Sequence, residues 1–145
     1  MDISLNLPSF SPRLRKEKDK FYIYDLVRRK FIMLTPEEWV RQHFINFLAQ
    51  EKYSLSLLSV EKGHQINDLA KRTDIVVYNR QGEIFLLIEC KAPHIPLNEL
   101  VFEQIFVYNL TLNAPYIAIT NGLQHFYFEK KENSYQQLEN LPIFN

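Results

Sequence analysis

Two apolar runs, Ile75-Val76-Val77-Tyr78 and Ile84-Phe85-Leu86-Leu87-Ile88, stand on either side of Asn79-Arg80-Gln81-Gly82. β-Branched and aromatic residues around a short polar loop read as a β-hairpin. Runs of this kind expect burial, yet three charged residues interrupt them: Asp74 at the start of one strand, Glu89 and Lys91 at the end of the other. A charge is costly in such surroundings unless it is paired or bound to a metal. A clash between local pattern and residue type is where function is usually found.

The chain has 145 residues, enough for one domain with a true core. Its 46% hydrophobic and 14% aromatic content excludes a disordered chain. The single Cys90 excludes an internal disulfide and a thiolate metal cluster. No apolar run reaches transmembrane length, and Met1-Asp2-Ile3-Ser4 is no secretory signal. A soluble cytoplasmic protein without membrane contact is the expectation. Seventeen basic and seventeen acidic side chains cancel, so no overall field steers the chain to nucleic acid. The charge is unevenly spread. Residues 13–30 carry eight Lys/Arg and three acids, a balance of +5 that leaves −5 elsewhere. Such a basic edge, with Arg28, Arg29 and Lys30, suits phosphates. Taken alone, a solvated charged face is the commoner explanation.

Residues 1–20, with Pro8 and Pro12, read as an extended basic lead-in, and 21–145 as one domain. Phe21–Tyr24 and Phe31–Leu34 flank a basic turn and suggest an N-terminal hairpin. Thr35-Pro36-Glu37-Glu38 is a helix start, with Thr35 as N-cap, Pro36 at N1 and Glu38 at N3. That helix should run to about Gln50 with Val40, Phe44, Phe47 and Leu48 as its core stripe. At about 100° per residue Glu37 falls near the middle of the stripe and points inward, while Glu38 is left as a cap. His43 reads as a helix-surface residue and His94 as a loop residue. Leu55–Glu61 suggests a strand. Beyond Lys91, Pro93 and Pro96 break the chain before a helix from about Leu97 to Asn113. It is apolar almost all round, so something besides the sheet should cover it. Pro115 ends it. Tyr116–Thr120 is a buried-type strand, Asn121-Gly122 a turn, and Gln124–Glu129 a further strand. The tail from Lys130 is weak strand or coil. The fold class is α/β or α+β, a mixed central sheet flanked by helices with an N-terminal hairpin.

Glu89 and Lys91 are two apart on a strand and share a face, while Cys90 points to the other as a small core residue. With an even loop Tyr78 would face Glu83, and Asp74 would lie opposite Leu87, diagonal to Glu89. An odd loop would turn Asp74 to the wrong face unless a bulge restored it. Two carboxylates so placed can share Mg²⁺. Spacing alone leaves a second reading open, in which Glu89 and Lys91 are an ion pair and Asp74 starts a turn.

The run Asp74…Glu89-Cys90-Lys91 resembles the D…(D/E)-x-K signature of the PD-(D/E)XK nuclease superfamily, with Thr73 where that family's name has Pro. The wider context is more specific. Thr35–Gln42, Asp74–Tyr78, Ile88–Pro93, Gln104–Tyr108 and Thr120–Gly122, in this order, resemble the N-terminal nuclease domain of type I restriction enzyme R (HsdR) subunits over roughly residues 20–128. The resemblance implies a restriction-endonuclease-like core and a metal-dependent DNA endonuclease. Asp74 and Glu89 would hold Mg²⁺, with Mn²⁺ as a substitute, and Glu37 would complete the set, with Glu38 as the alternative. The Cys90 main-chain carbonyl would be a further ligand. Lys91 would support the attacking water. Gln104 would reach the site, and Tyr108 would support it or meet DNA, although packing against the sheet is the simpler role for Tyr108. DNA is the implied partner, with a homodimer or other restriction-system subunits as further ones. R subunits continue into a helicase motor. These 145 residues hold no Gly-x-x-x-x-Gly-Lys-Ser/Thr loop, so translocation is not expected of them by themselves. The remaining alternative is a binding or assembly module that keeps the fold but turns over little alone.

Overall fold

The two apolar runs form the expected hairpin inside a six-stranded sheet. A computed structural model describes residues 3–60 and 75–145. In chain order the elements are β1 (Leu14–Glu17), β2 (Lys20–Asp25), β3 (Lys30–Met33), α1 (Pro36–Gln50), a 3₁₀ turn (Leu55–Leu57), β4 (Leu58–Val60), β5 (Ile75–Tyr78), β6 (Ile84–Cys90), α2 (Glu99–Leu112), β7 (Tyr116–Thr120), β8 (His125–Lys130) and β9 (Tyr135–Leu138). β1–β3 make one antiparallel sheet, and β4 to β9 make the other in sequence order. Its neighbours are antiparallel except β6 and β7, which α2 links in a parallel crossover. This is the mixed, helix-flanked sheet that the pattern predicts.

Of the two registers left open, the hairpin takes the odd loop with a bulge. Tyr78 pairs with Ile84, not Glu83, and a bulge at Phe85 then brings Val77 to Leu86, Val76 to Leu87 and Ile75 to Ile88. The turn explains the shift. Asn79 N–H donates to Glu83 O at 2.8 Å, and Asn79 Oδ1 accepts the amides of Gln81 and Glu83. Only three residues remain between them, and Gly82 takes the left-handed conformation (φ 83°) that such a loop needs. The place opposite Leu87 thus belongs to Val76, not Asp74. Asp74 itself lies outside the described residues.

Strand alternation gives the six-stranded sheet two apolar faces. Ile75, Val77, Leu86, Ile88 and Cys90 pack with Val40, Phe44, Ile45 and Leu48 of α1. Val76, Leu87, Ile117 and Ile119 pack with Ile105 of α2. Each fully buried Leu, Ile or Phe contributes about 1.5–3 kcal/mol, so the α1 side carries the larger share of the core.

α1 begins as its sequence dictates, with Thr35 Oγ1 accepting the Glu38 amide at 3.0 Å. It is buried well beyond one stripe. The three-stranded sheet covers a second face through the wholly buried Ile23, and the Leu26 amide donates to Gln42 Oε1 at 3.0 Å. The N-terminal segment covers a third. Trp39 Nε1 donates to Ile3 O at 2.9 Å, and Phe10 meets the His43 ring edge-on. His43 is therefore buried rather than on the helix surface. The lead-in also holds a strand, β1, so the expected hairpin is a three-stranded sheet. The tail likewise pairs firmly as β9.

α2 departs from expectation in the other direction. Asn98 caps its start, Asn113 ends it at φ 56°, and buried Asn109 ties its end to Ala114 and Tyr135. Yet Leu100, Val107 and Leu110 remain 67%, 65% and 75% exposed. The sheet covers one side only.

Candidate active site at the end of β6

β6 delivers Glu89 to the edge of the core. Glu89 pairs with Ile119 and Cys90 with Thr120, and the Lys91 amide donates to Thr120 O at 2.8 Å. The pleat turns Glu89 to the α2 side, where Leu87 and Ile119 lie, and Cys90 to the α1 side, where it is 1% exposed. Glu89 is 6% exposed, and its Oε2 lies 3.4 Å from Lys91 Nζ. Lys91 is half-buried, so its ammonium serves Glu89 and still reaches solvent. Sequence reasoning anticipated this shared face and the ion pair. It is a buried carboxylate beside a partly open cation.

The two first-helix acids exchange their expected orientations. Glu38, not Glu37, points inward. It is 4% exposed, ion-pairs with Arg41 Nη1, and accepts Gln42 Nε2 at 2.9 Å. The Glu37 side chain is 45% exposed and pairs with Arg41 Nη2 at 2.9 Å. The angular argument assumed one buried stripe. Glu38, Arg41 and Gln42 form a second buried stripe at helical spacing, and the turn of the three-stranded sheet meets it where the Leu26 amide bonds Gln42.

On α2, Gln104 is exposed, and Tyr108 one turn later is half-buried in the α2-side cluster. Packing accounts for Tyr108. In the basic turn, Arg28 Nε binds Asp25 Oδ2 at 2.7 Å, whereas Arg29 and Lys30 are exposed. Burial by itself would raise the Asp25 carboxyl. The Arg28 and Val27 amides and the Arg28 guanidinium outweigh it and hold the carboxyl below its ordinary value. Arg28 thus shapes the turn, and Arg29 and Lys30 present its free charge.

One positioning residue was missed. Asn121 reads as half of a turn, yet its side chain is a clamp. Nδ2 donates to Ile95 O at 2.8 Å, and Oδ1 accepts the amides of Leu123 and Gln124. It ties the loop after Lys91 to the β7–β8 turn. Beside it, Gly122 (φ 87°) sits so close to Leu5 that a Cβ would come within 2.7 Å of its side chain. His125 closes the same corner, with Nε2 donating to Asn6 O and Nδ1 accepting from Thr120 Oγ1, both at 2.8 Å. Desolvation pushes the His125 imidazole below its usual value, against the opposing pull of Asn6 O. An Asn in a sequence that breaks two strands at once was the available signal.

Glu89 supplies hard carboxylate oxygens of the kind Mg²⁺ takes, and one or two carboxylates commonly suffice. Among the described residues no three His, Cys, Asp or Glu side chains gather as a metal cage. The Cys90 thiol, on the opposite face, is not part of the donor set. No described helix is long and apolar enough to cross a membrane. Residues 36–142 match the family model described as type I restriction enzyme R protein N terminus (HSDR_N). No curated protein and no solved structure matches the chain.

Proposed function

Because the chain belongs to the family of type I restriction enzyme R protein N termini, we propose that it is a metal-dependent DNA endonuclease of the PD-(D/E)XK kind, acting in a restriction system. Its family places it in a restriction-related, nuclease-related role. The observation that carries the finer reading is the pair at the end of β6. A 6%-exposed Glu89 and a partly open Lys91 share one face. With Asp74, Glu89 would hold Mg²⁺ or Mn²⁺, and the bound cation would supply Lewis-acid stabilisation of charge on a phosphoryl oxygen. Glu37, on the exposed flank of α1, with the buried Glu38 as its alternative, and the Cys90 carbonyl are the remaining candidate ligands. The Lys91 ammonium would sit against a phosphate oxygen and offset the charge that builds there. Its contact with Glu89 orients it. The Asn121 clamp ties the loop after Lys91 to the β7–β8 turn. Gln104 would reach toward the substrate, and Arg29 and Lys30 would take flanking phosphates in a salt-sensitive way.

The test is cleavage of supercoiled and single-stranded DNA with Mg²⁺ or Mn²⁺. Cleavage should vanish with a chelator and fall at least about 100-fold in Lys91→Ala. Cleavage that survives Lys91→Ala would remove Lys91 from the site. A second reading, an assembly module of the same system, is favoured by the exposed apolar side chains of α2. It would gain if the purified chain cuts nothing and cuts only when other subunits are added.

A further inference from the structure

The outward face of the three-stranded sheet has no role in the core or at the end of β6. Register and alternation define it. Ile23 and Asp25 of β2 are wholly buried, so their neighbours Tyr22 and Tyr24 point the other way. Pairing puts Phe31 and Met33 of β3 beside them, and Arg15 of β1 opposite Tyr22. The guanidiniums confirm the face. Arg13 lies 4.5 Å above the Tyr24 ring, and Arg15 lies 4.2 Å above the Phe31 ring. Tyr24 and Phe31 touch edge-to-face at 5.3 Å. The three rings are only half-buried, Met33 is 53% exposed, and none of the four belongs to either core cluster.

We propose that this face is a stacking platform for the unpaired bases of single-stranded nucleic acid. Three aromatic rings interleaved with two arginines match the two needs of such a ligand. Rings and guanidinium planes stack bases, and the charges meet the backbone. The charge is concentrated here. Lys20 joins the two arginines on the face against Glu17 alone, while the chain outside residues 13–30 is net acidic. Neighbouring strands about 4.8 Å apart, and same-face residues about 7 Å apart along a strand, suit successive bases of an extended strand. Paired bases of a duplex are stacked on each other and are closed to this face. An apolar protein segment would have to bury the arginines over their rings, which makes it the poorer occupant.

The choice of ligand rests on the DNA-handling role proposed above, but binding here needs neither metal nor cleavage. The test is fluorescence anisotropy with labelled dT15 and a matched duplex, in chelator, at several salt concentrations. The full chain should bind the single strand. Tyr24→Ala/Phe31→Ala should weaken that binding at least about tenfold and change duplex binding less than about twofold. Photocrosslinking of bromodeoxyuridine oligonucleotide to the unaltered protein reads the site even if the double variant folds poorly. Adducts should map to Tyr22, Tyr24 or Phe31. Unchanged affinity in a folded variant, equal loss for single strand and duplex, or adducts elsewhere would overturn the proposal. So would no binding at low salt, and the face would then pass to a protein partner. Because cleavage is measured separately, either the platform or the nuclease reading can fail without the other.

Discussion

α1 and α2 flank the same sheet, but one is enclosed and the other is half bare. α1 buries nine residues, among them Glu38, Arg41, Gln42 and His43. α2, the more apolar of the two, buries only Ile105 and Asn109. Layering makes the difference. α1 lies between two sheets and under the N-terminal segment, so its polar side chains are taken inside and must satisfy one another. α2 lies on the outside of one sheet, so its second apolar side has no cover among the described residues. Burial follows the number of layers above an element, and composition follows it only loosely.

The largest expected effect lies in the enclosed helix. Arg41 holds Glu37 and Glu38, and removing it leaves a buried carboxylate without its cation. Arg41→Ala should cost about 3–5 kcal/mol in urea unfolding. A cost under about 1 kcal/mol would mean that α1 is less enclosed than its burial indicates.

Acid should also act on the α1 side first. Desolvation lowers the His43 imidazole against the opposing pull of Trp39 O, and burial lowers His125 in the same way. A lowered folded value means that the unfolded chain binds more protons. The contribution is therefore full above about pH 6.5 and is lost as pH falls below it. Asp25, also lowered, contributes above about pH 4 and loses that contribution as pH falls through its folded value. Urea midpoints should fall between pH 7.5 and 5.5, and His125→Gln should flatten the fall. None of these three groups is on α2. An unchanged slope in His125→Gln would remove the corner around Asn6 and Thr120 from this explanation.

The smallest effect belongs to the open helix. Leu110, 75% exposed, should tolerate Leu110→Gln within about 0.5 kcal/mol. If an assembly partner covers α2, the same substitution should weaken association while leaving the isolated chain's stability alone. A large loss in the isolated chain would show that α2 is covered after all.

Much of this was legible in the chain. The cap at Thr35, the hairpin around Asn79–Gly82, and the shared face of Glu89 and Lys91 follow from local rules of capping, turns and alternation. The odd loop with a bulge stood only as an alternative to the even register, because the choice depends on how Asn79 and Gly82 close the turn. Glu38 was misplaced because a single helix shows one stripe, whereas a second sheet makes another. β1 was hidden because its four exposed residues have no apolar alternation and are held by their neighbour β2. Asn121 was read as a turn residue because its contact with Ile95 links positions 26 apart in sequence.

The central claim is that Glu89 serves a divalent cation and Lys91 the phosphodiester. Thermal unfolding with and without Mn²⁺ tests it most directly, in the wild type, Glu89→Gln and Lys91→Ala. Mn²⁺ that binds only the folded chain must stabilise it, by about 2.7 kcal/mol at 100 times its dissociation constant, and so raise the wild-type midpoint. The expected result is that Glu89→Gln loses this rise, while Lys91→Ala keeps the rise and loses cleavage. An equal rise in Glu89→Gln and wild type would contradict the claim and place the cation elsewhere.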